Sequence, residues 1–135
     1  MKKVLIVCTG NSCRSIIAEA LINKELNGIK AYSCGAKPSG KVNPNAKRVL
    51  ELNGAWSDSY YSKGVDEVIE INFDLIITVC DNAKEQCPIF PSKAKQVHIG
   101  FEDPDGKDFS AFEVTYKKIK KELLPKVKEI LNKNS

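Results

Sequence analysis

The first 26 residues contain the feature that most restricts the fold: an apolar run, a tight turn and then a helical stretch. Residues 3–7 are mainly β-branched and apolar, which predicts a buried strand. A turn rich in small and polar residues begins at Cys8. Residues 12–26 then repeat apolar side chains at helical spacing, and Asn27 and Gly28 close the helix.

The same alternation of strand and helix continues along the chain. We predict further strands at residues 31–34, 73–79 and 95–99, helices at residues 44–52 and 109–131, and a short helix within residues 65–71. Asn43 is expected to cap the helix that begins at Pro44. Pro125 is expected to kink or split the last helix, since proline removes a helical hydrogen bond. The pattern predicts one catalytic α/β domain over residues 1–135, with a parallel sheet.

Composition excludes several classes of protein. With 135 residues, 42% of them apolar and 28% charged, the chain can bury a core without disulfides or metals. Its net charge of +4 comes largely from lysines of the last helix, a stretch without arginine, so we expect a solvated face and no nucleic-acid partner. No apolar run approaches the roughly 20 residues of a membrane span, and no signal peptide is evident. We expect a cytoplasmic protein, most simply a monomer, that does not bind membranes.

The five cysteines indicate reactive thiols. A structural disulfide framework is not expected in the cytoplasm, and an odd count leaves at least one cysteine unpaired. The spacings Cys8-x4-Cys13 and Cys80-x6-Cys87 are not those of zinc sites, and the single histidine, His98, stands alone. No metal site is therefore predicted, and redox or nucleophilic chemistry remains.

Three reactive groups follow predicted strands. Cys8 follows the first strand, Cys80 follows the third, and Asp103 lies a few residues past the fourth. Functional sites of parallel sheets collect at the carboxyl ends of the strands. The sequence therefore predicts that these three groups share one edge of the sheet.

Residues 8–15, here termed the oxyanion loop, have the composition of a phosphate cradle. Their sequence is Cys8-Thr9-Gly10-Asn11-Ser12-Cys13-Arg14-Ser15. Backbone N–H groups of Thr9 to Arg14, together with the helix that follows, can surround a tetrahedral anion, and the Arg14 guanidinium can hold two of its oxygens. Cys8 is the predicted nucleophile, and Ser15 is the predicted hydrogen-bond donor to its sulfur. A buried cysteine beside an exposed arginine is the alternative, but the order of the groups between strand and helix favours the site.

This loop resembles the signature of the low-molecular-weight tyrosine phosphatase superfamily, which includes the thioredoxin-coupled arsenate reductases. The resemblance covers essentially the whole chain and implies a flavodoxin-like domain, in which a four-stranded parallel sheet carries helices on both faces. It also implies that Asp103, in an Asp-Pro dipeptide, is the general acid. Glu102 is the alternative acid, and a plain Asp-Pro turn is the alternative interpretation.

Within that superfamily, three features favour the reductases over the phosphatases. The segment from Cys80 to Cys87 resembles the redox segment of the reductases, Asp105 and Gly106 stand where phosphatases carry aromatic residues, and Ile16 replaces a usual proline. The resemblance implies that arsenate is reduced to arsenite, as in arsenic detoxification. Cys8 would attack arsenic, Cys80 and Cys87 would form the redox-active disulfide, and thioredoxin would be the reductant.

Two other functions stay open. One is a tyrosine phosphatase or small phosphomonoesterase that forms a phosphoenzyme on Cys8, and weak phosphatase activity is expected even of a reductase, since both use the same loop. The other is a non-enzymatic oxyanion or redox sensor. For Cys80 and Cys87 the alternative is two unrelated thiols.

The resemblance also concerns a cation. Relatives can bind a potassium ion near positions that match Asn11, Glu19 and Ser33, and Lys63 falls near a fourth position that is acidic in them. The Lys63 ammonium would then replace the ion. The alternative for Glu19 is a solvated helix residue. No tightly bound cofactor is expected, Cys13 is expected to be non-essential, and Cys34 is expected to pack as a small apolar residue.

Overall fold

A computed structural model describes residues 1–81 and 90–133 of the protein. Strands and helices alternate in these ranges, in the order β1 (Lys2–Cys8), α1 (Arg14–Glu25), β2 (Ile29–Gly35), α2 (Pro44–Leu52), a 3-10 helix (Val65–Glu67), β3 (Leu75–Thr78), β4 (Lys95–His98) and α3 (Phe109–Lys133). Each of these elements overlaps an element that the sequence predicts. None of the described helices combines the length and the hydrophobicity needed to cross a membrane.

The four strands form one parallel sheet in the order β2-β1-β3-β4. In the register of this sheet, Val7 of β1 pairs with Cys34 of β2 and with Thr78 of β3, and Thr78 pairs with His98 of β4. The predicted parallel sheet is confirmed. Since all four strands run the same way, their carboxyl ends lie at one edge, and the predicted reactive groups follow that edge.

The larger core lies between one face of the sheet and the three α-helices. Val4 and Ile6 point to this face, and Ile16, Leu50 and Ile119 come from the helices. Each of these five side chains is fully buried or nearly so. Because successive side chains of a strand point to opposite faces, the alternate residues of β1 are left for the second face.

The second face has a smaller core. Leu5 and Val7 pack there with Val68, which follows the 3-10 helix, and with Phe73 and Phe90. The rings of Phe73 and Phe90 meet edge to face, with centroids 6.0 Å apart. The predicted arrangement of helices on both faces is confirmed, although the described helix on this face is a single 3-10 turn, shorter than the predicted helix at residues 65–71.

Helix α1 begins later than the sequence predicts. We expected it to start at about Ser12, but the first helical residue is Arg14. The backbone of Asn11 is left-handed, with φ of 49°, so the chain cannot enter the helix until it has passed the turn of the oxyanion loop. Helix α2 begins as predicted, with the Oδ1 atom of Asn43 accepting a hydrogen bond from the Asn45 N–H.

Helix α3 runs from Phe109 to Lys133 with Pro125 inside it. The expectation that this proline could split the helix is therefore wrong. Leu123, Leu124 and Val127 on either side of the proline are buried in the larger core. Their packing keeps the helix continuous at Pro125, which has no N–H to donate.

Candidate active site

The carbonyl groups of the oxyanion loop point away from its interior. They accept hydrogen bonds from backbone N–H groups of residues 36–43: Ala36 to Cys8 (3.1 Å), Lys37 to Thr9 (2.9 Å), Ser39 to Gly10 (2.9 Å) and Asn43 to Ser12 (3.0 Å). A loop whose carbonyls are turned outward presents its own N–H groups inward. This is the arrangement of a backbone anion nest.

Gly35 at the end of β2 permits this close approach. A Cβ atom at this position would lie 2.5 Å from the Thr9 carbonyl oxygen and 3.0 Å from the Asn11 nitrogen, both backbone atoms. No larger residue fits unless the loop moves. Gly35 was not among the predicted site residues, although a glycine directly after the cysteine that ends a predicted strand was an available signal.

The Asn11 side chain braces the loop from within, as the sequence analysis expected. Asn11 is fully buried. Its Nδ2 donates to the Ser15 hydroxyl at 2.7 Å, and its Oδ1 accepts from the Lys63 backbone N–H at 2.8 Å. The side chain thus uses both ends to hold the loop in a backbone conformation that few residues other than asparagine and glycine adopt.

Ser15 contacts the predicted nucleophile. Its Oγ lies 3.1 Å from the Cys8 sulfur, and both residues are buried. Because Ser15 Oγ already accepts the hydrogen bond from Asn11, its own proton can be donated to Cys8. Cys8 carries a free thiol at the carboxyl end of β1.

A cavity of about 210 Å³ opens above the loop. It is lined by Cys8, Thr9, Gly10, Ser12, Cys13, Arg14, Ser39, Asp103 and Asp105. Arg14 is 3% exposed, and its Nη1 donates to the Phe101 carbonyl at 3.1 Å. Its Nη2 lies 3.4 Å from Asp103 Oδ2. The guanidinium therefore stands between the anion loop and the segment that carries the candidate acid.

Asp103 lies at the mouth of this cavity. Its side chain is 46% exposed, and its Oδ1 accepts a hydrogen bond from the Asp105 N–H at 3.0 Å. Glu102, the alternative acid, forms an ion pair with Lys107 and is not among the residues that line the cavity. Of the two carboxyl groups, Asp103 is the one that lines the cavity above the loop.

Cys13 and Cys34 are buried free thiols. Burial raises the pKa of Cys13 to about 12, against a smaller lowering by its hydrogen bond with Ser12. Burial likewise raises the pKa of Cys34 to about 12, with a further increase from the charge of Cys8. Both therefore stay protonated near neutral pH, and neither is a competing nucleophile.

Cys80 lies at the same sheet edge as Cys8. Thr78 pairs with Val7 across the neighbouring strands β3 and β1; Cys8 directly follows Val7, and Cys80 lies two residues past Thr78. Cys80 is fully buried and disulfide-bonded. Cys87, the second predicted redox cysteine, lies outside the described residues.

Glu19 and Lys63 form a buried charged cluster beside the loop. Glu19 is 7% exposed, and the Ser33 hydroxyl donates to its Oε1 at 2.5 Å. Burial raises the pKa of Glu19, while the charge of Lys63 and the Ser33 hydrogen bond act in the opposite direction. The Lys63 ammonium donates to the Tyr61 carbonyl at 2.9 Å. The alternative interpretation of Glu19 as a solvated helix residue is wrong.

These residues do not form an evident metal site. Over residues 1–81 and 90–133, no group of three or more His, Cys, Asp or Glu side chains is arranged to hold a metal ion. In the set predicted for a potassium ion, Asn11 Oδ1 accepts from the Lys63 N–H and Glu19 Oε1 accepts from Ser33. The positive charge of Lys63 acts on Glu19 within this set.

The fold and the loop together define a class of protein, the parallel α/β domains that carry a Cys-x5-Arg loop between their first strand and first helix. Comparison with known sequences gives the family. The pattern of the low molecular weight phosphotyrosine protein phosphatase family matches residues 3–135, so the chain belongs to that family.

Individual relatives are similar over most of their length. The arsenate reductase of Brevibacillus brevis is 41% identical over 113 residues, which are 83% of this chain and 84% of that protein. The crystal structure of arsenate reductase from Archaeoglobus fulgidus superposes with a TM-score of 0.79 at 34% identity, over 87% of this chain and 93% of that one. An arsenate reductase in a phosphate-binding state gives a TM-score of 0.78 at 28% identity, over 100% of both chains.

Proposed function

We propose that this protein is an arsenate reductase that works through three cysteines and is reduced by thioredoxin. The observation that carries the proposal is the position of a free Cys8 thiol in an anion loop, with Asp103 at the mouth of the loop and the disulfide-bonded Cys80 on the neighbouring strand end. The similarity to the Brevibacillus brevis arsenate reductase supports arsenate as the substrate.

The first step is attack of the Cys8 thiolate on arsenic. Arsenate has the shape and charge of phosphate, so the inward N–H groups of the loop and the Arg14 guanidinium can hold its oxygens. A sulfur–arsenic bond forms, and one arsenic–oxygen bond breaks. The departing oxygen takes a proton from Asp103 and leaves as water, while Ser15 donates a hydrogen bond to the sulfur.

The second step transfers two electrons. The Cys80 thiolate attacks the Cys8 sulfur, a Cys8–Cys80 disulfide forms, and the electron pair of the sulfur–arsenic bond goes to arsenic. Arsenic(V) becomes arsenic(III), which leaves as arsenite. Cys87 then attacks Cys80, so that the disulfide moves to Cys80 and Cys87 and the Cys8 thiolate is released. Thioredoxin, a dithiol protein, reduces that last bond and is itself oxidised.

The states of Cys8, Cys13 and Cys34 support this order. Cys8 carries a free thiol, as the nucleophile of the first step requires. Cys13 and Cys34 have pKa values raised to about 12 and do not compete as thiolates. Cys8 is therefore the cysteine of the oxyanion loop that can attack arsenate.

A second activity follows from the same geometry. A loop that holds arsenate also holds the phosphoryl group of an ester, so we propose weak phosphatase activity through a Cys8 phosphoenzyme. Membership of the phosphotyrosine phosphatase family favours this. Asp105, rather than an aromatic side chain, lines the cavity next to Asp103, so an aryl group gains little stacking there.

We further propose that Lys63 takes the place of the cation that relatives bind. Its ammonium supplies positive charge beside the buried carboxylate of Glu19, and its backbone N–H donates to the side-chain oxygen Oδ1 of Asn11. The positive charge that offsets Glu19 is therefore covalently attached to the chain. No potassium ion is needed in this arrangement.

Arsenate-dependent NADPH oxidation, coupled through thioredoxin and thioredoxin reductase, tests the reductase. We expect the wild-type protein to sustain NADPH oxidation in the presence of arsenate. Both Cys8→Ser and Cys87→Ser should abolish this activity. Cys34→Ala is the matched control, because it removes a buried thiol from the second face of the sheet and should keep turnover. The protein would be a phosphatase instead if the wild type does not reduce arsenate but hydrolyses p-nitrophenyl phosphate, and if Cys87→Ser leaves that hydrolysis unchanged.

A single-turnover assay separates the roles of the two later cysteines. Fully reduced Cys87→Ser should release about one arsenite per protein molecule without thioredoxin and then stop with Cys8 bonded to Cys80. Cys80→Ser should release none. Equal behaviour of these two variants would contradict the proposed order of attack.

A further inference from the structure

The side chain and backbone of Asn43 connect three parts of the site. Its N–H donates to the Ser12 carbonyl of the oxyanion loop at 3.0 Å. Its Oδ1 caps helix α2 by accepting from the Asn45 N–H at 2.8 Å, and its Nδ2 donates to Asp105 Oδ1 at 2.8 Å. One residue thus joins the start of α2 to the anion loop and to residues 100–108, here termed the acid loop.

Asp105 passes this constraint to the candidate acid. The Asp105 N–H donates to Asp103 Oδ1 at 3.0 Å, while Asp103 Oδ2 lies 3.4 Å from Arg14 Nη2. The two carboxylate oxygens of Asp103 are therefore held from opposite directions. One restraint comes from α1 through Arg14, and the other comes from α2 through Asn43 and Asp105.

The acid loop needs such a restraint because little of it is buried. Phe101 and Pro104 are buried, but residues 105–108 are exposed. Gly106 adopts a left-handed backbone, with φ of 83°, in the turn that the Lys107 N–H closes onto the Pro104 carbonyl. Among the described residues, 105–108 belong to neither core, and the hydrogen bond from Asn43 joins Asp105 in this stretch to the start of α2.

We propose that Asn43 is a positioning residue that holds Asp103 in the orientation for proton transfer to the departing oxygen. This inference rests on the proposed role of Asp103 as the general acid. Proton transfer depends steeply on the distance and direction between donor and acceptor. Loss of the hydrogen bond between Asn43 and Asp105 should therefore slow the step in which oxygen leaves. Oxyanion binding should change little, because it depends on the N–H groups of the anion loop.

Asn43→Asp removes the hydrogen bond to Asp105 and keeps the cap of helix α2. Aspartate keeps an oxygen for the Asn45 N–H, but it places a carboxylate against Asp105 instead of a donor. We expect kcat for arsenate to fall about tenfold or more while KM changes by less than about twofold. Asn27→Asp, a matched charge change on the exposed turn at the opposite edge of the sheet, should retain the wild-type kcat.

A swapped pair then tests whether the hydrogen bond itself matters. In Asn43→Asp/Asp105→Asn, the donor and the acceptor exchange places, so the bond can form again. We expect this double variant to recover most of the kcat that Asn43→Asp loses. A loss of kcat that the swap does not recover, with a normal melting temperature in both variants, overturns the proposal.

Asp103→Asn separates this inference from the function on which it rests. If Asp103 is the acid, Asp103→Asn lowers kcat, and adding Asn43→Asp to it lowers kcat no further, because no proton donor is left to position. If Asp103→Asn has no effect, the general-acid role fails, and with it the inference. If Asp103→Asn lowers kcat but Asn43→Asp does not, the inference alone fails. The same variants are assayed with p-nitrophenyl phosphate, so the comparison can be made on either substrate.

Discussion

At the scale of single residues, the oxyanion loop depends on residues that are not part of it. Gly35 makes room for the loop, and Lys63 holds Asn11 through its backbone N–H. Both residues come from parts of the chain remote from residues 8–15. Their effects on the loop can be measured separately from its chemistry.

Gly35→Ala should distort the loop. The added Cβ would meet the Thr9 carbonyl oxygen at 2.5 Å, a contact that only a backbone shift relieves. We expect a loss of about 1–3 kcal/mol in the free energy of unfolding, as for other overpacking changes, together with weaker phosphate binding. Chemical denaturation and protection of Cys8 from iodoacetamide by phosphate measure the two effects.

Gly28→Ala is the matched control for that change. Gly28 has a left-handed φ of 78°, and a Cβ added there would have no heavy atom within 4 Å, so alanine costs only backbone strain of about 1–2 kcal/mol. It lies at the edge of the sheet away from the loop. If phosphate protects Cys8 from iodoacetamide equally well in Gly28→Ala, in Gly35→Ala and in the wild-type protein, then Gly35 is not needed for the shape of the loop.

Lys63→Ala should create a requirement for a cation. Without the ammonium, the carboxylate of Glu19 is buried with no offsetting charge, and breaking a buried charge pair costs about 3–5 kcal/mol. We expect lower stability and activity, partly restored by potassium chloride but not by choline chloride at equal ionic strength. Lys63→Ala/Glu19→Gln should regain stability without potassium. Stimulation of the wild-type protein by potassium would contradict the replacement of the ion by Lys63.

At the scale of elements, the first strand and helix could be predicted, and their exact junction could not. The apolar run and the helical spacing of residues 3–26 indicated β1 and α1, but the helix begins at Arg14 because Asn11 has a left-handed backbone. The residue types alone do not indicate where the turn of the oxyanion loop ends and the helix begins. The junction is set by hydrogen bonds from residues 36–43.

The prediction that the last helix, α3, could be split was wrong. A proline in a helical stretch predicts an interruption, and α3 nevertheless extends across Pro125. Pro125 is exposed, whereas its neighbours Leu123, Leu124 and Val127 are buried. Packing of that apolar face outweighs the loss of one backbone hydrogen bond, so tertiary structure overrides the local preference.

Pro125→Ala should therefore stabilise the protein. Alanine restores the missing N–H donor in a helix interior, and the exposed ring contributes little packing, although the unfolded chain gains freedom. We expect an increase of about 1–2 kcal/mol in the free energy of unfolding, measured in urea. Lys126→Ala, at the exposed neighbouring position, is the control and should change stability by no more than about 0.5 kcal/mol. A destabilised Pro125→Ala would show that the helix relies on the proline.

At the scale of the whole molecule, Glu19 should make stability depend on pH. Its pKa is raised in the folded protein, mainly by burial, above the value of 4.5 that an unfolded chain would have. Between these two values the folded state binds more protons than the unfolded state. Stability therefore decreases as pH rises through this window, by the linkage of folding to protonation.

Glu19→Gln removes this contribution. We expect the loss of stability between about pH 4.5 and the raised pKa to be smaller in the variant than in the wild-type protein, since glutamine does not titrate. Urea unfolding at a series of pH values measures it. Glu25→Gln, on the exposed end of the same helix, is the control. Parallel pH profiles for the wild-type protein and Glu19→Gln would contradict the direction of the shift.

The fold class and the proposed chemistry of the loop can both be predicted from the sequence, because both depend on local patterns of residues. Alternating strand and helix periods predict a parallel sheet, and parallel strands bring Cys8, Cys80 and Asp103 to one edge whatever the details of packing. The Cys-x5-Arg spacing predicts a nucleophile and a guanidinium around the same anion. These inferences need only neighbours in the chain and the direction of the strands.

The identity of the distant residues that hold the site in shape depends on contacts that form only in the folded chain. The outward carbonyls of the loop, the room left by Gly35, the burial of Glu19 beside Lys63 and the tie from Asn43 to Asp105 all join segments far apart in the sequence. A glycine, a lysine or an asparagine in an irregular segment has no local pattern that distinguishes such a role from a plain turn. Contact, burial and charge become specific to a residue only when the chain has folded around it.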